Sequence, residues 1–191
     1  MQSISLVERA HALIRDKLGP GAVAVDATVG NGFDTLFLLQ QVGPSGRVYG
    51  FDIQEKALAS ARSKISENGL LNGATLFQAS HERMSDLIPA RHHGRIKACM
   101  FNLGYLPHGD KSIVTTPDST IAALNAACNL LSARGMITVI AYLGHPGGGL
   151  ETERVTEWCE CLDRRRYDVA TVTPKENDNK APRLFVIYNL R

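Results

Sequence analysis

Short apolar runs alternate with stretches of helical periodicity along nearly the whole chain, and this alternation constrains the fold more than any other feature. A strand, a helix and a second parallel strand form one βαβ unit, and repeated units give a parallel sheet covered by helices. The predicted strands are 22–27, 47–52, 74–79, 96–102, 136–142, 167–173 and 184–189. The predicted helices are 3–18, 33–42, 54–68, 82–87, 118–131 and 151–163.

The last two predicted strands follow one another without a helix between them. A dinucleotide-binding Rossmann domain more often ends in a further strand–helix unit, whereas this ending is typical of the Rossmann-like class I methyltransferase fold. We therefore predict an α/β fold with a seven-stranded, mostly parallel sheet, helices on both faces and an antiparallel last strand. No linker interrupts the pattern, which predicts a single domain over residues 1–191.

Composition and charge narrow the classes of partner. The net charge of +2 permits an RNA partner but does not by itself indicate one. The four cysteines lack the spacing of a zinc site, so no metal is expected. The first eighteen residues include several charges and no uninterrupted apolar core, and no other stretch reaches the length of a membrane span. We expect a cytoplasmic protein with no membrane partner, and homodimer formation stays open.

A glycine-rich turn, VDATVGNGFDT, follows the first predicted strand and precedes a helix. Ligands of open α/β sheets bind beyond the carboxyl ends of the strands, where Gly30 and Gly32 permit a tight turn and a close approach. A dinucleotide fingerprint needs a third glycine where Thr35 stands, and Asp26 and Asp34 repel a pyrophosphate. The helix N-terminus suits another anion, such as a carboxylate. The alternative is a plain turn in which Asp34 caps the helix.

Two further positions suit an adenosine ligand. Asp52 ends the second predicted strand about 20 residues beyond the glycine turn, at the spacing of an acid that accepts hydrogen bonds from a ribose diol. Gln54 lies just beyond it, at the adenosine edge. Ser80 and His81 follow the third strand, where this architecture places the adenine. The alternatives are a helix-capping role for Asp52 and a solvent-facing position for His81.

Two loops follow the fourth and fifth predicted strands. In the first, NLGYLPHGDKS, Asn102 can both donate and accept a hydrogen bond, Tyr105 can stack on a base, and Asp110 can take a proton. In the second, YLGHPGGG, His145 is a candidate base or stacking group, and the glycines suggest a backbone that bends around a partner. An ordinary surface loop and a flexible connector are the alternatives.

These segments together resemble a known family. The strings DATVGNGFDT, NLGYLPHGDKSI and YLGHPGG, with the acid at Asp52 and the pair Ser80–His81, are similar to bacterial methyltransferases that use S-adenosylmethionine (SAM). That family, formerly labelled as rRNA methylases, is associated with methylation of 5-aminomethyl-2-thiouridine at the tRNA wobble position. The resemblance covers nearly the whole chain. His108 stands where the family has glycine, so no role is assigned to it.

The resemblance implies a set of site residues and a tRNA partner bound through its anticodon arm. The implied cofactor-binding residues are Asp26, Thr28, Gly30, Asn31, Gly32, Asp34, Thr35, Asp52, Ile53, Gln54, Ser80, His81 and Asn102. The implied catalytic residues are Asn102, Tyr105, Asp110, Tyr142 and His145. The implied substrate-binding residues are Lys111, Ser112 and His145. The candidate phosphate contacts are the basic residues Lys111, Arg164, Arg165, Arg166, Lys180 and Arg183. For Arg164 to Arg166 a solvated helix end is the favoured alternative.

The implied reaction is N-methylation of the primary amine on the modified uridine. An alkylamine is largely protonated at neutral pH, so the enzyme has to favour the neutral amine through desolvation or a nearby base. Three alternatives remain: a SAM-dependent methyltransferase acting on rRNA or a small molecule, an NAD-dependent oxidoreductase, and a non-catalytic RNA-binding module. The missing third glycine disfavours the oxidoreductase, and the intact cofactor motifs disfavour the binding module.

Overall fold

The computed structural model describes residues 4–106, 113–173 and 181–191, which contain seven strands and six α-helices. The strands are β1 Val23–Asp26, β2 Arg47–Asp52, β3 Ala74–Gln78, β4 Ile96–Leu103, β5 Leu131–Ala141, β6 Tyr167–Val172 and β7 Arg183–Asn189. The helices are α1 Leu6–Arg15, α2 Phe33–Val42, α3 Glu55–Glu67, α4 Met84–Leu87, α5 Pro117–Leu130 and α6 Gly148–Cys161.

The strands form one sheet in the order β3-β2-β1-β4-β5-β7-β6. The first five pair in parallel, and β7 pairs antiparallel with both β5 and β6. The predicted mostly parallel sheet with an antiparallel last strand is therefore confirmed. Because β1 to β5 are parallel, their carboxyl ends meet at one edge of the sheet, and the turns that follow them lie side by side there.

Alternate side chains of each strand enter separate apolar cores on the two faces of the sheet. Val25 and Phe101 belong to one core, which α4, α5 and α6 cover. Ala24 and Met100 belong to the other, which α1, α2 and α3 cover. The two cores confirm the prediction of helices on both faces. They also explain why the central strands are apolar throughout rather than alternating.

The helix ends follow from local sequence. Ser5 caps α1 through a capping box with Glu8, so that the helix begins at Leu6 rather than at residue 3. Pro117 occupies the first position of α5, as predicted, where its missing N–H costs no hydrogen bond. None of the helices in the described parts of the chain combines the length and the apolar character that crossing a bilayer requires.

The predicted starts of β5 and α6 are also wrong. Strand β5 begins at Leu131, five positions before the predicted start, since the polar stretch around Arg134 stays in the sheet. Arg134 takes a φ of 57°, and the pairing with β4 is irregular there: Ile96 pairs with Leu131 and Ala98 with Met136, so β5 contains three more residues than β4 between these two pairs. Helix α6 begins at Gly148, so two of the four glycines in GHPGGG are helical instead of bending around a partner.

Candidate active site

A cleft of about 1310 Å³ lies at the carboxyl ends of the parallel strands. The turns that follow β1 to β5 form its walls, which is where open α/β sheets bind their ligands. It brings together most of the residues predicted from sequence: Thr28, Gly30, Asn31, Asp34, Asp52, Ile53, Gln54, Ser80, His81, Asn102, Tyr105, Tyr142 and His145. The volume exceeds the roughly 300–1,000 Å³ of a typical small-molecule pocket, so the cleft has room for two ligand groups.

Three predicted site residues do not line the cleft, and three more fall outside the described residues. Asp26 and Thr35 support the glycine turn from below and Gly32 belongs to the turn itself, but none of the three lines the cleft. Asp110, Lys111 and Ser112 fall outside the described residues, as do His108 and Lys180.

Asp26 is fully buried beneath the glycine turn. Its Oδ1 accepts a hydrogen bond from the Thr28 amide at 3.1 Å, and its Oδ2 accepts one from Thr35 Oγ1 at 2.5 Å. Burial, reinforced by the charge of Asp34, raises the pKa of Asp26 to about 7. The contacts of Asp26 tie the start of α2 to the end of β1, so its role is to shape the turn.

Replacement of Asp26 by asparagine is expected to remove a pH-dependent part of the stability. The pKa of Asp26 is about 7 in the folded protein against an ordinary value of 3.8. The protonated form of Asp26 therefore stabilises the folded protein. This contribution is fully present below the ordinary pKa of 3.8 and is lost as the pH rises through the folded-state pKa of about 7. The free energy of unfolding falls by up to about 1.4 kcal/mol per pH unit over this range. Urea denaturation between about pH 5 and about pH 8 should show wild type losing free energy of unfolding relative to Asp26→Asn.

Asp86→Asn provides the control, because Asp86 is exposed on α4. Its free-energy difference from wild type should not vary over the same pH range. A pH-independent difference for Asp26→Asn as well would mean that Asp26 is ionised in the folded protein, contrary to the expectation from its burial.

Asp52 connects the glycine turn to the loop after β2. Its Oδ2 accepts a hydrogen bond from the Gly30 amide, and its Oδ1 accepts one from the Gln54 amide, both at 2.9 Å. Gln54 is the N-cap residue of α3, so Asp52 lies two residues before the N-cap and is not itself the N-cap residue. Each carboxylate oxygen can accept a further hydrogen bond, which leaves Asp52 able to bind a diol in the cleft.

His81 is buried on the cleft wall and does not face solvent. Its Nδ1 lies 3.2 Å from the carbonyl oxygen of Ala27, which can only accept, so Nδ1 carries the proton. Burial lowers the pKa of His81, which keeps the ring neutral at neutral pH. Nε2 is therefore a hydrogen-bond acceptor on a ring that packs against Phe101.

Asn102 lies near the end of β4, with its side chain between the glycine turn and the cleft. Its amide N–H donates to Thr28 Oγ1 at 2.7 Å, and its Nδ2 donates to Asp34 Oδ2 at 2.5 Å. The remaining atom, Oδ1, is buried without a hydrogen-bond partner among the described residues. A buried acceptor without a partner costs about 1–3 kcal/mol, so Oδ1 is suited to a donor from a ligand.

His145 presents a second acceptor of this kind. Its Nδ1 lies 3.0 Å from the carbonyl oxygen of Pro146, which assigns the proton of the neutral ring to Nδ1. Its Nε2 is buried and lacks a partner within the described ranges. Tyr105 packs edge-on against the ring, at a centroid distance of 6.1 Å. A Cβ on Gly148 would lie 2.8 Å from Nε2, so glycine there lets the imidazole pack on the start of α6.

Sequence reasoning missed Glu151, which binds two threonines that precede and begin α5. Glu151 is buried and accepts hydrogen bonds from Thr115 Oγ1 at 2.7 Å and Thr120 Oγ1 at 2.6 Å. Thr115 in turn pairs with Gly104 through backbone and side chain. The only sequence signal was an acid in the first turn of a helix, which is common at exposed positions.

Sequence reasoning also missed His11, on α1. Its Nε2 lies 2.6 Å from Asp34 Oδ1, and its ring stacks on Phe37 at a centroid distance of 3.8 Å. A histidine beside the apolar stripe of a helix gives no indication of a partner that lies 23 positions away.

The candidate phosphate contacts divide between the two ends of the sheet. Arg164 and Arg165 are exposed in the turn before β6, and Arg166 pairs through its backbone with Leu190, at the edge where the parallel strands begin. That edge is opposite the cleft. Arg183 pairs with Ala141 at the end of β5 and therefore lies on the cleft side.

Comparisons with known proteins place the chain among methylases. The family described as "Putative rRNA methylase" matches residues 48–188. An Arabidopsis thaliana protein named "tRNA (mnm(5)s(2)U34)-methyltransferase, chloroplastic" is 39% identical over 156 residues, which are 78% of this chain and 56% of that protein. A Dictyoglomus turgidum protein named "Ribosomal RNA small subunit methyltransferase H" is 29% identical over 53% of this chain and 33% of its own length. The chain thus spans about half of one relative and a third of the other.

Two solved structures match over nearly their full lengths. A putative rRNA-methylase from Clostridium thermocellum is 39% identical, with a TM-score of 0.93 over 99% of this chain and 100% of its own. A putative methyltransferase from Streptococcus mutans, solved in complex with S-adenosylhomocysteine (SAH), is 29% identical, with a TM-score of 0.87 over the same shares. These matches confirm the class I methyltransferase fold predicted from the order of the elements.

Proposed function

The chain belongs to the family described as "Putative rRNA methylase", and from that premise we propose that it is a SAM-dependent methyltransferase acting on an amine of RNA. One observation carries the proposal. A single cleft holds Asp52, the last residue of β2, and Oδ1 of Asn102, which is buried and has no hydrogen-bond partner in the part of the chain that the structure describes. The first suits an adenosine ribose, and the second suits an N–H donor at the reacting end.

The residues of the cleft fit SAM. Asp52 is available to the ribose hydroxyls, and His81 and Ser80 line the wall proposed for the adenine. Gly32 is the N-cap of α2 and forms no side-chain cap, so the first-turn amides of that helix are left for an anionic group such as the methionine carboxylate. The S. mutans relative bound to SAH supports the same cofactor here.

Asn102 is the proposed holder of the acceptor amine. Bound SAM supplies an electrophilic methyl group on its sulfonium, and the electron pair of the breaking C–S bond stays on sulfur as the new N–C bond forms. An attacking nitrogen must be neutral, with its lone pair directed at that methyl. Asn102 Oδ1 can accept an N–H of the amine and so fix the direction of the lone pair.

His145 is the proposed acceptor of the proton that the methylated nitrogen releases. Its Nε2 lacks a partner within the described residues, and the Pro146 carbonyl already holds the proton on Nδ1. Tyr142 lies on the same wall, and burial raises its pKa, so its hydroxyl stays protonated and acts as a donor at neutral pH.

The proposed substrate is tRNA, methylated at the 5-aminomethyl group of the wobble 2-thiouridine in the anticodon arm. Support comes from the name of the A. thaliana relative. The cleft also has the volume for a nucleoside beside the cofactor. Lys64 lines the rim with its Nζ 3.9 Å from the centroid of the Phe33 ring. Together with Arg183, it provides positive charge near the proposed position of the RNA backbone.

A transfer assay with defined RNAs tests this proposal. Purified protein is incubated with methyl-labelled SAM and, in parallel, with tRNA lacking the final methyl group, with ribosomal RNA and with a pool of metabolites. Nucleoside mass spectrometry should find the label in 5-methylaminomethyl-2-thiouridine of the tRNA arm. Label in ribosomal RNA or in metabolites alone would overturn the tRNA assignment, and no label in any arm would overturn the proposed activity.

Asp52→Asn is expected to weaken SAH binding by at least about tenfold, the loss expected when a charge-assisted hydrogen bond is replaced. Each carboxylate oxygen now accepts a backbone N–H, and an asparagine would direct its NH₂ group at one of them. Calorimetric titration with SAH measures the change. Asp163→Asn is the control, because Asp163 accepts from the Arg165 amide at the opposite edge of the sheet. Unchanged affinity in Asp52→Asn would exclude the ribose contact.

A further inference from the structure

A chain of hydrogen bonds links α1 to the proposed reaction centre. His11 Nε2 lies 2.6 Å from Asp34 Oδ1, and Asn102 Nδ2 lies 2.5 Å from Asp34 Oδ2. Three elements that are separate in sequence therefore meet at one carboxylate. The orientation of the His11 ring is also fixed by stacking, because the face of the imidazole packs on the Phe37 ring with an angle of 3° between the two planes.

The carboxylate determines which way the Asn102 amide faces. An ionised carboxylate can only accept, so it must be approached by the NH₂ group of the asparagine and not by its oxygen. Oδ1 then points away from Asp34, and it is buried without a partner in the described structure. Since Asp34 fixes the amide, whatever fixes Asp34 also fixes the acceptor atom.

His11 is the group that fixes Asp34. The side chain of Asp34 is only 9% exposed, so little water reaches it, and His11 donates to the oxygen that Asn102 does not use. We propose that His11 is a positioning residue which, through Asp34, directs the Asn102 acceptor oxygen at the substrate amine; this inference rests on the proposed function. In metal sites, the partner that orients a ligand typically affects affinity or activity by about 10- to 100-fold, and we expect an effect at the lower end of that range here.

Two substitutions separate the hydrogen bond from the packing of the ring. His11→Phe keeps the stack on Phe37 and removes the donor, whereas His11→Gln loses the ring and keeps an N–H near the position of Nε2. The rate constant kcat for tRNA methylation should fall about tenfold in His11→Phe, with KM and the SAH dissociation constant changed less than about twofold. His11→Gln should recover most of kcat despite its poorer packing.

His92→Phe is the matched control. His92 also makes a hydrogen bond, from Nδ1 to the hydroxyl of Tyr49 at 2.8 Å, but on a turn that precedes β4 and lies far from the cleft. Any loss of stability that follows from replacing a hydrogen-bonded histidine by phenylalanine should appear there without loss of kcat. Full kcat in His11→Phe would overturn the proposal, and so would an equal loss in His11→Phe and His11→Gln.

Nuclear magnetic resonance of the side-chain amide of Asn102 provides a readout that does not depend on turnover. Its Nδ2 protons should shift in His11→Phe and keep their wild-type positions in His11→Gln, since the strength of the bond to Asp34 changes only in the first. An unshifted amide in His11→Phe would overturn the proposal. If wild type methylates no tRNA, the proposed substrate fails, and the amide signal still decides whether His11 positions Asn102.

Discussion

Asn102→Ala is expected to lower kcat for tRNA methylation by about 100-fold or more, the scale found when one preorganised polar contact to a reacting group is removed. Asn102 Oδ1 is buried at the cleft without a partner among the described residues, so the substrate amine is its expected donor. Alanine leaves the amine without that acceptor and leaves Asp34 without one of its two donors. Single-turnover methyl transfer at saturating SAM and tRNA measures the effect.

Binding of SAH distinguishes this role from a general disturbance of the site. The proposed cofactor contacts come mainly from the turns after β1, β2 and β3, so the SAH dissociation constant of Asn102→Ala should stay within about threefold of wild type. Asn125→Ala is the control, because Asn125 bonds to the indole of Trp158 on the surface of α5 and α6. A single-turnover rate close to wild type in Asn102→Ala would mean that the amine is held by another group.

The sequence predicts the part of the site that depends on the carboxyl ends of strands. Asp52 and Asn102 were identified because parallel strands bring their ends to one edge, whatever the distance along the chain. His11 and Glu151 were not, because their positions depend on how helices pack on the sheet and on each other. A buried carboxylate such as Glu151 has an unremarkable sequence context and gains its role only from Thr115 and Thr120.

The order of the elements was predictable from the sequence, whereas some of their boundaries, such as the start of β5, were not. The apolar core of β5 was recognised, but its first residues, LSARG, have the composition of a turn. They remain a strand because Leu131 pairs with Ile96 of β4, and the irregularity around Arg134 accommodates the additional residues of β5. At such positions the pairing with a neighbouring strand outweighs the preference of the local sequence for a turn, and this pairing cannot be predicted from the pattern of one sequence.

Gly32→Ala is expected to destabilise the protein by about 3 kcal/mol, combining the strain of a left-handed residue with the cost of overpacking. Gly32 takes a φ of 76°, and a Cβ there would lie 2.7 Å from both Cα and Cβ of Ala61. Since one of these atoms belongs to the backbone of α3, relief requires α3 to move away from α2. A loss of this size corresponds to a fall in Tm of about 6–12 °C for a chain of this length, measurable by thermal unfolding.

Gly69→Ala separates the two contributions. Gly69 has a similar φ of 69°, yet a Cβ there would meet no atom within 4 Å, so its substitution carries the backbone strain alone. If Gly32→Ala lowers Tm no further than Gly69→Ala does, the close contact with Ala61 does not contribute to the loss of stability. A larger fall would show that the second glycine of the turn sets the spacing of α2 and α3.

A dinucleotide fingerprint assigns close helix packing to its third glycine. Here Thr35 occupies that position and donates to Asp26 instead, so the packing requirement is met at Gly32.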